Sequence, residues 1–176
     1  TWRRGRYEDA IGVLERAAEL AVSEDEIADV ANSRSYVLEL AGRPGDAWQV
    51  LVEAADRVGP DRHDLLDSQA AILSLLAGRS REAQEAVARV LAAHEGDRDS
   101  LELLVRFRVD YAEVFALAML GRFDDATRIA TDASTFIADH PEAHMPPELA
   151  LLGRVLADTW SGHLDRAQAD AVLIEQ

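Results

Sequence analysis

The sequence predicts an all-α fold: a right-handed α-solenoid of antiparallel helix pairs, about four and a half repeats over residues 1–176. Three observations carry this. A run of glycine followed five residues later by alanine occurs at Gly5/Ala10, Gly42/Ala47, Gly78/Ala83, Gly121/Ala126 and Gly162/Ala167. The glycines stand 37, 36, 43 and 41 residues apart, a period that marks a helical-repeat solenoid. The run at Gly121 also falls between two long apolar segments, Leu101 to Leu120 and Thr127 to Ile137. Glycine ends a helix by taking the left-handed conformation, and the small alanine lets the next helix approach closely. An acid precedes the alanine in four runs (Asp9, Asp46, Glu82, Asp125), where it faces the positive end of the new helix. Gly12 and Ala17 share the spacing by chance within a helix.

The elements follow in order. Thr1 to Arg4 reads as the tail of a helix, Gly5 as its turn, and about 7–22 as the second helix of a pair. Ser23-Glu24-Asp25-Glu26 is a capping-box signature that starts a helix to about 41. Pro44 suits the first turn of the next helix, which ends before Gly59-Pro60. The third pair falls near 64–77 and 81–94, followed by a polar turn at Gly96 to Asp99. The fourth pair opens with the most apolar segment, Leu101 to Leu120. It is hydrophobic around most of its circumference and so predicts a helix buried on several sides. His140-Pro141 to Pro146-Pro147 is the longest break and the expected flexible joint. The last pair covers 148–161 and 164 onward, ending in an amphipathic pattern of Leu164, Ala167, Ala171 and Ile174.

These turns resemble those of tetratricopeptide repeats, whose Gly-x-aromatic-x-x-Ala run is matched by Gly5/Tyr7/Ala10 and Gly121/Phe123/Ala126 and approached by Gly162/Leu164/Ala167. Leu14/Ala17, Leu51/Ala54 and Ala130/Ala133 occupy the family's later packing positions. Seven residues before the glycine the family has a small residue; here stand Ser35 and Ala71, but also Val114 and Val155. The period exceeds the family's usual 34 residues or so, so longer helices are expected.

Composition narrows the function. There is no Cys, which excludes disulfides, thiolate metal sites and cysteine nucleophiles. All 18 basic residues are Arg, so the segment holds no phosphate-loop or Schiff-base lysine. A formal charge of −15 repels nucleic-acid phosphates and is compatible with a basic partner or simply with solubility. No stretch is long and apolar enough to predict a membrane span, and the expected location is cytoplasmic.

Catalytic and metal chemistry find little support. His140 and His144 have a helical metal-ligand spacing, but Pro141 and Pro146-Pro147 disrupt the helix that would present them. His63, His94 and His163 stand singly near helix ends. Gly42-Arg43-Pro44-Gly45 lacks the lysine and the strand of a phosphate loop. No metal, cofactor or catalytic residue is therefore assigned.

By resemblance, the first helix of each pair lines the binding face. Counting back from each turn glycine places Asp29, Asn32, Tyr36 and Glu39 there, then Leu65, Ser68 and Ile72. Arg108, Tyr111 and Phe115 follow, then Leu149, Leu152, Leu156 and Trp160. Of these, Asn32, Tyr36, Arg108, Tyr111, Phe115, Leu152, Leu156 and Trp160 are the candidate contact residues for a peptide, an amphipathic helix or a small effector. The basic clamp for C-terminal carboxylates found in some members is absent, since Arg108 is the one base among these positions. Apolar residues at helical spacing also serve as core, so packing against neighbouring helices is the competing reading.

Gly-Arg-x-x-x-Ala turns about 40 residues apart, with arginine and no lysine, are similar to the repeat region of large ATP-dependent LuxR-type transcription activators. That resemblance implies a non-catalytic interaction or sensing segment of a bacterial regulator, flanked by an ATPase and a helix-turn-helix domain. The alternative is a freestanding adaptor. Both ends fall inside repeats, so a piece of a longer protein, or pairing of two copies through uncapped ends, is expected.

Overall fold

The computed structural model describes residues 2–140 and 147–174, with side chains described in these ranges except at 2–5, 147–151 and 173–174. The described helices are α1 (Trp2–Leu20), α2 (Glu24–Leu40), α3 (Pro44–Ala55), α4 (His63–Leu76), α5 (Ser80–Ala93), α6 (Leu103–Met119), α7 (Phe123–Asp139), α8 (Pro147–Ser161) and α9 (Leu164–Ile174). Short 3-10 turns at Pro60–Arg62 and Arg98–Ser100 precede α4 and α6. Paired as α2/α3, α4/α5, α6/α7 and α8/α9 behind a single α1, these make the four and a half pairs of an α-solenoid. The long period is taken up by long helices: α2, α6 and α7 each have 17 residues.

The turns share one construction. At Gly121 φ is +76°, which an L-residue adopts only at a cost. The left-handed step lets the Arg122 N–H reach back to the Leu117 carbonyl at 2.9 Å, while the Gly121 N–H reaches Ala118 at 3.0 Å. Two orphaned carbonyls of α6 are thereby satisfied. Gly42, Gly78 and Gly162 repeat this, with φ of +78°, +72° and +86°. At Gly42, Gly78 and Gly121 the next residue is an arginine at the N-cap of the following helix, and its guanidinium meets the acid three residues on. Arg43–Asp46 lies at 2.6 Å, Arg79–Glu82 at 2.8 Å and Arg122–Asp125 at 2.7 Å. The acids thus face both a helix dipole and a cation. Ala47, Ala83 and Ala126 are fully buried where the paired helices meet.

Gly5 departs from the expectation of a turn: α1 runs unbroken from Trp2 through it. An interior glycine costs only about 1 kcal/mol relative to alanine. The capping box at Ser23 is formed as expected. The Glu26 N–H donates to Ser23 Oγ at 3.2 Å, and the Ser23 N–H donates to Glu26 Oε2 at 3.1 Å. A further bond from the Val22 N–H, then those from Ser23, hold the Glu26 carboxyl below its ordinary range. Pro44 opens α3 at its first turn.

The core forms in successive layers. Ile11, Ile27, Leu38, Leu51, Leu66 and Leu73 join α1 to α4. Leu75, Val87, Val90, Val105 and Val109 join α4 to α6. Val114, Leu117, Ile129 and Ala157 join α6 to α8. The first helices contact one another in order (α2 with α4, α4 with α6, α6 with α8) and form one continuous wall, with the second helices behind it. As expected, α6 is enclosed on several sides, touching α4, α5, α7 and α8. Val114 occupies a position where Ser35 and Ala71 are small, and its bulk is met by Gly153 of α8. The predicted joint at 141–146 lies outside the described residues. Among the described residues no helix is long and apolar enough to cross a membrane.

Candidate binding groove

The wall of first helices carries a groove of about 590 Å³ across α2, α4 and α6. Its sides are apolar and aromatic: Ile72, Leu75 and Leu76 from α4, and Leu104, Phe107, Tyr111, Phe115 and Met119 from α6. The aromatics form a stack along α6 because they are spaced by four residues on one helix face. Ring centroids are 6.2 Å apart for Phe107–Tyr111 and 4.5 Å for Tyr111–Phe115. Tyr36 and Glu39 of α2, Gln69 of α4 and Arg108 of α6 supply the polar part.

Arg108 is only 8% exposed. Its Nη1 donates to Oδ1 of Asn32 at 2.6 Å, a neutral partner. Loss of solvent brings its guanidinium down to about 10, an effect that Glu39 and then Tyr36 oppose. The Glu39 carboxyl is pushed up, chiefly by burial, against the pull of the Gln69 amide, which donates to it at 2.9 Å, and of Arg108. Burial also raises the Tyr111 phenol.

Of the residues expected at the site, Tyr36, Arg108, Tyr111 and Phe115 line this groove, and Asn32 is bonded to its cation. Leu152, Leu156 and Trp160 lie on α8, beyond the groove's lining, with Trp160 half exposed. Ile72 lines it, whereas Ser68 is fully buried and donates to the Leu65 carbonyl at 3.0 Å; its neighbour Gln69 reaches the groove instead. Leu65 packs into the core between α4 and α6. The side chain of Leu149 lies outside the described residues.

Sequence reasoning singled out only Trp160 among the positions two residues before each turn glycine. Leu40, Leu76, Met119 and Trp160 occupy them and are 45%, 61%, 46% and 50% exposed. One turn earlier stand Tyr36, Ile72, Phe115 and Leu156. Two apolar rows therefore cross the four first helices, and their regular distance from the glycine was the signal. Exposed apolar residues scattered singly need no explanation, but rows of them mark interaction surfaces.

Among the described residues a serine stands beside a histidine and an aspartate twice. Ser161 Oγ lies 2.9 Å from His163 Nδ1 but donates its proton to the Asp158 carbonyl at 3.2 Å. His94 at the end of α5 lies 2.5 Å from Asp64 and 2.8 Å from Ser100 Oγ. The serine donates its single proton to the Asp97 carbonyl at 2.8 Å, so it has none to give the ring. This line of residues clips α4, α5 and the following turn together. His140 is bonded through Nδ1 to the Phe136 carbonyl, and His144 lies outside the described residues. Among the described residues no three metal-ligating side chains are grouped to hold an ion.

Fold and groove together define a tetratricopeptide-like α-solenoid. The chain is similar to the crystal structure of nearly identical tetratricopeptide-like repeats assigned to a kinesin light chain of Podosopora anserina. The TM-score is 0.69 at 17% identity, over 98% of this chain and 87% of that one. No protein-family model and no curated protein sequence matches the chain.

Proposed function

We propose that this chain is a non-catalytic recognition module that holds an amphipathic helix of a protein partner against its wall of first helices. The pair of apolar rows carries the reading. Neighbouring packed helices lie roughly 9 Å apart, so a row across four of them extends nearly 30 Å. A helix of about 20 residues has that length and returns a residue to the same face every seven, about 10.5 Å. Leu40, Leu76, Met119 and Trp160 fit such a ladder of contacts, with Tyr36, Ile72, Phe115 and Leu156 beside it. The formal charge of −15 favours a partner whose outer face is basic.

Titrating the labelled protein with a designed helical peptide, leucine at every seventh and intervening fourth position and arginine outward, tests this. Saturable shifts confined to α2, α4, α6 and α8 are expected. Leu76→Asp with Met119→Asp, both at exposed positions, is expected to weaken binding by roughly a hundredfold, about two contacts' worth of buried side chain. Unchanged affinity in the folded double variant removes the proposed surface.

As the setting we favour the sensing segment of a bacterial transcription regulator of the ATP-dependent LuxR-type class, on the strength of the Gly-Arg-x-x-x-Ala turns and the arginine-only basic residues. Occupancy of the wall would then bias the attached ATPase between two states. The size and peptide map of the native polypeptide decide this. A nucleotide-binding module upstream and a helix-turn-helix downstream support it, and a native chain little longer than this one leaves the freestanding adaptor.

A further inference from the structure

We propose that the groove between α2, α4 and α6 is also a small-molecule site, for a monocarboxylic acid with an apolar body whose carboxylate pairs with Arg108. This goes beyond the partner helix, and it makes the acid a competitor for the same wall.

The argument begins with charge. Arg106 and Arg108 are both buried on α6. Arg106 is bonded to two carboxylates, Asp110 at 2.6 Å and Asp99 at 3.0 Å. Among the described residues Arg108 forms no ion pair within 4.0 Å, and its hydrogen bond goes to the neutral amide of Asn32. A buried cation without an anion is costly, and a guanidinium has five donors in a fork that matches a carboxylate. Glu39 faces the same groove but lies beyond ion-pair distance and is engaged by Gln69. It balances Arg108 only from afar. The lining also contains Tyr36, whose hydroxyl can donate to a second ligand oxygen.

The rest of the lining sets the ligand's body. Eight of the twelve lining residues are Ile, Leu, Met, Phe or Tyr of α4 and α6. A space of about 590 Å³ lies within the range of small-molecule sites, which run from about 300 to 1,000 Å³. A single negative charge suits it better than a phosphate, since a doubly charged group costs more to desolvate and meets a protein of charge −15.

Dodecanoate and its uncharged methyl ester, each kept below its aggregation limit, are titrated into the whole chain near neutral pH by calorimetry. Dodecanoate is expected to saturate one site and to bind at least roughly tenfold more tightly than the ester, as one charge-assisted contact implies. Arg108→Gln is expected to remove that difference while leaving the ester's affinity in place. Should that variant fail to fold, Leu76→Glu at the exposed mouth brings a like charge near the acid and is expected to weaken dodecanoate more than the ester. Equal binding of acid and ester by the native protein, or no saturable binding of the acid, overturns the proposal. Binding of the designed helix without binding of dodecanoate removes the acid site and leaves the partner surface standing; the converse removes the partner surface alone.

Discussion

Replacing Asp110 by alanine is expected to destabilise the protein by about 3–5 kcal/mol, because it leaves two guanidiniums without their shared carboxylate. Asp110 is 3% exposed. It accepts from Arg106 Nε at 2.6 Å and from Arg98 Nη1, and Arg98 also donates to Glu113. Arg106 is itself 4% exposed and lies over the Phe136 ring, 4.6 Å from its centroid. The carboxylate therefore ties α6 to the preceding 3-10 turn and, through Arg106, to α7. Arg98 is nearer the surface and can recover water; Arg106 cannot, and it retains only the exposed Asp99. The cost should accordingly fall mainly on Arg106. Urea unfolding of Asp110→Ala beside Arg106→Met with Asp110→Leu checks this. The pair replacement is expected to recover most of the loss, as buried ion pairs often exchange for apolar residues at little cost. A loss under 1 kcal/mol for the single variant would show that solvent reaches the network and that the pair is not buried in practice.

This network was hard to see in the sequence for a definite reason. The long apolar content of α6 drew attention to its hydrophobic residues, while the stabilising polar contacts depend on Arg98, distant along the chain and placed by a 3-10 turn. The four-residue spacing of Arg106 and Asp110 was visible, but such pairs are usually exposed and weak. The turns were legible because their cause is local: a left-handed glycine satisfies the carbonyls just before it, whatever the rest of the chain does. Gly5, which carries the same motif inside the unbroken α1, shows that the motif alone does not impose the turn.

The groove was legible only as far as helix rotation could be counted. Distance from the turn glycine placed Tyr36, Ile72, Tyr111 and Phe115 on the wall's face. On α4 the inward residue one turn earlier is Ser68 and the groove residue is Gln69, a shift of one position or about 100°. That rotation is set by packing between neighbouring helices. The same holds on α8, whose Leu156 and Trp160 belong to the rows but, like Leu152, do not line the groove. The separation of Arg108 from Glu39 across the groove is likewise a tertiary property, set by how α2 and α6 pack.

The way α8 meets α6 yields the second large effect. Alanine in place of Gly153 is expected to destabilise the protein by about 1–3 kcal/mol, the usual cost of one extra carbon in a tight interface. A Cβ built there would lie 2.5 Å from Cγ1 of Val114 and 3.6 Å from Cε2 of Phe115. Helix propensity alone would reverse the sign, since alanine is favoured over glycine within a helix by about 1 kcal/mol. The outcome thus weighs packing against backbone preference directly. Val114 is 3% exposed and branched at Cβ, so it cannot turn aside without entering the core it shares with Leu117 and Ile129. The second substitution Val114→Ala removes the clashing methyl, and in that background Gly153→Ala is expected to be neutral or stabilising. Thermal or urea unfolding of the two single variants and the double variant gives the coupling energy. Additive losses would show that α8 does not sit this closely on α6; a double variant more stable than Val114→Ala alone would show that Gly153 is kept for the bulk of Val114.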